Sequence, residues 1–114
     1  MPRRTSKTTK RVRRVVSLPY EAWLLERLKD PAEAAAYLEA VIEEEDSAAF
    51  MLALRQVARA QGGVAKIARK AKLTREATYR MLSKSGNPEL RSLRAVLRAN
   101  GLKISVKPIE KRTA

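Results

Sequence analysis

Cysteine and histidine are both absent from this 114-residue chain. No disulfide can brace it, and no thiolate or imidazole can hold zinc. The commonest general base is missing too, so an enzyme is not expected, and neither is a cofactor or a metal. Aromatic residues are few, with three Tyr, one Trp and one Phe. That poverty argues against single-strand binding by base stacking. No run approaches the roughly 18 apolar residues of a membrane span. The basic N-terminus also lacks the apolar segment of an export signal, so a cytoplasmic protein with no membrane partner is expected.

Acids are scarce outside one stretch. The 25 Lys and Arg against 12 Asp and Glu give a net charge of +13. Residues 1–19 carry seven bases (Arg3, Arg4, Lys7, Lys10, Arg11, Arg13, Arg14) and no acid. Residues 20–50 hold nine acids against Arg27 and Lys29, whereas 51–107 hold fourteen bases against Glu76 and Glu89. Oppositely charged surfaces suggest two different partners, although an acidic block can also serve only as a solvated face.

The apolar pattern predicts one small all-α domain over 20–107, a basic flexible arm over 1–19 and a tail over 108–114. Trp23, Leu24, Leu25 and Leu28 have helical spacing within 20–29. Asp30-Pro31-Ala32-Glu33 reads as an N-cap, a first-turn proline and a capping-box glutamate, opening a helix whose apolar face is Ala34, Tyr37, Leu38, Val41 and Ile42. Asp46-Ser47 caps a helix bearing Phe50, Leu54, Val57 and Ala58, which closes at Gln61-Gly62-Gly63. Two short helices follow, about 64–71 and 75–83. Asn87-Pro88 predicts the start of a last helix with Leu90, Leu93, Val96 and Leu97 on one face. Leu102 to Lys107 alternates apolar and polar, the pattern of a half-buried C-terminal β-strand. Such a strand needs a partner, either Val15–Leu18 or the same strand of a second subunit.

The segment 64–83 carries the functional signal, a pattern shared with DNA-reading helix-turn-helix units. Ala68 is the small residue where two helices cross, with Ile67 and Ala71 beside it. Leu73 holds the turn, Met81 and Leu82 hold the second helix, and Thr74 is its N-cap. Arg75, Glu76, Tyr79 and Arg80 are left facing outward. Arginine can grip guanine O6 and N7 with two hydrogen bonds, and glutamate can accept from cytosine N4. Lys66, Arg69, Lys70, Lys72 and Lys84 surround them as phosphate contacts that position the helix. A basic hairpin with a solvated face is the plainer alternative. The basic arm can likewise enter the minor groove or act as a non-specific electrostatic tail, the second needing less geometry.

With these motifs in place, the chain from Tyr20 to Val106 resembles the addiction-module antidote proteins, antitoxins with a lambda-repressor-like (Xre-type) DNA-binding domain. The resemblance is carried by LKDPAEAAAYLEA, ALRQVARAQGG, LTREATYRMLSKSGNP and LRANGLKISV. It implies an antitoxin of a type II toxin–antitoxin module that neutralises a small basic RelE/HigB-like toxin. It also implies a protein that binds double-stranded operator DNA and represses its own operon. One short recognition helix reads too few base pairs, so a homodimer is expected. Arg75, Glu76, Tyr79 and Arg80 take the operator-facing positions, and Ala68 and Leu73 the structural ones. Two positions depart from the family pattern. Lys72 stands where glycine is usual, predicting a strained left-handed backbone, and Thr78 stands where leucine is more common. The acidic face of 21–46 suits a basic toxin, with Trp23, Leu24, Tyr37 or Leu38 as apolar anchors. The alternative function is a stand-alone helix-turn-helix repressor with no toxin partner. The last helix and the 102–107 strand are the expected dimer contacts.

Overall fold

The computed structural model describes residues 19–110. Six α-helices follow one another: α1 over 19–27, α2 Pro31–Ile42, α3 Ser47–Ala60, α4 Val64–Ala71, α5 Arg75–Met81 and α6 Leu90–Ala99. α4 packs on α3, α5 and α6, and α2 packs on α3. Among these residues no helix is long and apolar enough to cross a membrane.

Each packed face follows the helical period of its sequence. Leu24 of α1, Leu28 just after it, Leu38 of α2, Leu54 and Val57 of α3, Ile67 of α4, and Val96 of α6 are buried in one cluster. Ala34, Ala58 and Ala68 are buried as well, and their small side chains let the backbones approach closely. Burying each Leu, Ile or Val contributes about 1.5–3 kcal/mol. The exposed ion pairs Arg27–Glu33 at 2.9 Å and Arg59–Glu21 at 3.0 Å contribute at most about 1 kcal/mol each. They align α1 against its neighbours more than they stabilise it. Gln61 does the same from α3, its Nε2 donating to the carbonyls of Leu28 and Lys29 at 2.9 and 3.0 Å. The Tyr37 hydroxyl donates to Gln56 Oε1. Burial, followed by nearby Tyr20, raises its pKa above the ordinary tyrosine value.

Three helix starts are capped by side chains. Asp30 accepts from Ala32 N at 2.9 Å, Asp46 from Ala49 N at 3.1 Å and Thr74 from Ala77 N at 3.0 Å. Glu33 does not complete a capping box, because its carboxylate accepts from Arg27 instead. Between α3 and α4, Gly62 and Gly63 have φ of 115° and 106°, a reversal open to glycine but strained for L-residues.

The expected C-terminal β-strand is not there. Among the described residues there is no strand, and 102–110 has no regular secondary structure. Leu102 N donates to Leu97 O at 2.8 Å, finishing α6, and beyond it Ile104 and Val106 are exposed. Alternation suits a strand only where a neighbour supplies the ladder, and no described segment does so. The expected partner Val15–Leu18, like nearly all of the basic arm, lies outside the described residues.

Other boundaries shift less. Pro19, expected in the arm, is already helical. α6 starts at Leu90 with Glu89 as N-cap, not at Asn87-Pro88. The chain is still extended at Glu89, with φ of −67° and ψ of 153°, and becomes helical only after it. Leu90 and Ile42 are mostly exposed, so each lies outside the apolar stripe expected of its helix.

Gly86 fixes the path between α5 and α6. A β-carbon there would sit 1.8 Å from the carbonyl oxygen of Met81, and the Gly86 amide donates to Ser83 O at 2.9 Å. Gly86→Ala must displace backbone, and thermal unfolding should show a loss of about 1–3 kcal/mol. An unchanged melting temperature would show that the 83–89 loop yields freely.

Candidate nucleic-acid interface

α4 is eight residues long and buries Val64, Ile67 and Ala68. The helix therefore turns Lys66, Arg69 and Lys70 to solvent, and all three are exposed. Arg69 and Lys70 lie in its last turn, where their charge also complements the helix dipole. The chain then reverses at Lys72, whose φ of 61° and ψ of 41° are left-handed. Leu73 N donates back to Ala68 O at 3.0 Å, closing the turn, and the Leu73 side chain packs on the core.

That closure sets the direction of α5. Thr74 caps it, and Thr78, Met81 and Leu82 are buried against the domain. Thr78 is fully buried, and its hydroxyl donates to Thr74 O at 2.8 Å. The polar group at this inner position is thereby satisfied, and the departure from leucine leaves no orphaned donor. Arg75, Glu76, Tyr79 and Arg80 are all exposed on the opposite side. Lys72 and Lys84 are exposed at the two ends of the helix. Among the described residues no carboxylate forms an ion pair with any of these bases. The exposed face is cationic and one helix wide, and a major groove admits an α-helix.

One contributor was not expected from the sequence. Arg55 of α3 places its guanidinium 5.5 Å from the centre of the Tyr79 ring. It adds a cation beside the exposed face of α5 and restrains the tyrosine. The two residues are distant in sequence, and nothing in the local pattern around either signals the pairing. A second basic surface lies on α6, where Arg94, Arg98 and Lys103 line a cleft of about 100 Å³ with Ile104. Arg91, Arg94 and Arg98 are exposed at helical spacing. A two-fold contact through this face would oppose like charges, which disfavours it as the expected dimer contact.

Residues 22–108 match the family described as "Probable addiction module antidote protein". The chain belongs to that family, a class of probable addiction-module antidotes. It is also 33% identical over 81 residues to an uncharacterized protein of Haemophilus influenzae, covering 71% of this chain and 82% of the relative. No solved structure matches.

Left-handed backbone costs an L-residue about 1–2 kcal/mol, part of which glycine gives back through its freer unfolded chain. Lys72→Gly should therefore raise stability by about 0.5–1 kcal/mol in chemical denaturation. A decrease would mean that the lysine side chain holds the turn.

Proposed function

We propose that this chain neutralises a small basic RelE/HigB-like toxin and binds its own operator as a homodimer through α4, the turn and α5. In this reading α4–α5 is an Xre-type helix-turn-helix, with α5 in the major groove. The observation that carries the DNA half is the joint exposure of Arg75, Glu76, Tyr79 and Arg80 on one capped helix whose far side is packed. Arg75 and Arg80 offer bidentate donors to guanine, and Glu76 accepts from cytosine. Tyr79, restrained by Arg55, presses on a thymine methyl or bonds a phosphate. Lys66, Lys72 and Lys84 neutralise phosphates and set the register. α5 has seven residues and spans few base pairs, so useful specificity calls for two copies on two half-sites.

Membership of the antidote family favours a toxin partner over the stand-alone repressor. Inhibition then comes from covering the toxin, and no catalytic step by this chain is required. The acidic stretch 20–50 supports the same division, because its charge repels DNA and attracts a basic protein.

The decisive experiment is binding to the DNA upstream of the chain's own gene at near-physiological salt, challenged with excess unrelated DNA. Retained binding is expected, and loss to any competitor would overturn the operator reading. Within it, Arg75→Ala should cost about 1–3 kcal/mol on the operator and relax specificity at one base pair. Lys72→Ala should weaken operator and unrelated DNA alike and lower the salt slope by about one. Indistinguishable behaviour of the two variants would refute the division into reading and positioning residues.

A further inference from the structure

We propose that Tyr20 and Trp23, on the outer face of α1, form the apolar anchor of a docking surface for a small basic protein, rimmed by the carboxylates of α2 and the turn after it. This rests on the antidote reading above and names the surface through which the antidote acts.

Four expected anchors separate cleanly in the structure. Leu24 and Leu38 are buried in the core and can reach no partner. Tyr37 is half-buried, with its hydroxyl committed to Gln56. Trp23 is 53% exposed, and Tyr20, one turn earlier, is 55% exposed. Leu24 on the inner side of α1 and Leu28 just past its end are the buried ones, and the aromatic pair stays in solvent.

The pair is also organised in advance. The two rings lie 5.7 Å apart, and the Arg27 guanidinium sits 5.1 Å from the Trp23 ring centre. Arg27 is held on its other side by Glu33 of α2 at 2.9 Å. Trp, Tyr and Arg are the residue types that dominate binding energy at protein interfaces, and restrained side chains lose less entropy on docking.

Charge chooses the occupant. Arg27, lying over Trp23, pairs with Glu33 in the first turn of α2, which places the aromatic pair beside that helix. From there α2 runs through Glu39 to the turn Glu43-Glu44-Glu45, with Ile42 exposed among them. Among the described residues no base forms an ion pair with these four carboxylates. Phosphates would be repelled here, and a two-fold contact with a second copy would bring like charges together. A cationic protein with an apolar notch fits both features.

Trp23 is the only tryptophan in the chain, so it can report its own burial. The full chain labelled with 5-fluorotryptophan would be titrated with the small basic toxin that the antidote reading requires, then separately with operator DNA, and followed by fluorine NMR. The resonance should move with the protein and stay in place with the DNA. Trp23→Ala should weaken the protein complex by about thirtyfold or more, with Trp23→Phe recovering most of it and operator binding unchanged in both. Reversing Glu43, Glu44 and Glu45 to lysine should slow association at low salt by about tenfold. A complex that forms with the resonance unmoved, and equally well with Trp23→Ala, overturns this surface while leaving the antidote reading in place. Absence of any complex with the wild-type chain overturns the antidote reading itself.

Discussion

Burial of one face of α4 is the constraint on which the second half of the molecule depends. Val64, Ile67 and Ala68 leave solvent together, and α3, α5 and α6 all pack on this eight-residue helix. A helix so short is not stable alone; its neighbours hold it. Its outward face must then carry Lys66, Arg69 and Lys70, because the inward positions are taken. The left-handed Lys72 and the bond from Leu73 N to Ala68 O transmit that fixed position to α5. The orientation of the exposed Arg75 to Arg80 face is thus a consequence of core packing one turn away.

The same helices keep two kinds of surface apart. α1, α2 and the turn after α2 present aromatic rings and carboxylates, and α4 to α6 present arginine and lysine. Opposite charges on one small body would collapse onto each other if the side chains were free to meet. Cross-links between helices are instead few and local, such as Arg27 with Glu33 and Arg59 with Glu21. The proposed function uses this separation, one face serving a polyanion and the other a cationic protein.

Much of the fold was legible in the residues. Every helix was visible from apolar spacing, and Asp30, Asp46 and Thr74 cap where capping chemistry placed them. The left-handed turn at Lys72 was legible through the family resemblance, in which glycine usually holds that position. The strand over 102–107 was misread because alternation is a local signal, whereas a strand is a relation between two segments. The start of α6 was misread because Asn87-Pro88 satisfies the rules for a helix start, whereas the chain is still extended at Glu89, which takes the N-cap position. At the candidate site, the outward residues of α5 followed from subtracting the buried ones. Arg55 beside Tyr79 did not, since that contact depends on how α3 crosses α5.

By itself the sequence determined the all-helical class, the separation of acidic from basic segments and the side of α5 that faces water, since periodicity and charge are properties of the chain order. The tertiary structure alone decided which aromatic residues remain outside. Leu24 and Trp23 are adjacent, and either could have led the inner face of α1. Packing against α2 and α3 buried Leu24 and left Trp23 over Arg27 in solvent. Only the crossing of helices, which depends on side chains far apart in the chain, could make that choice.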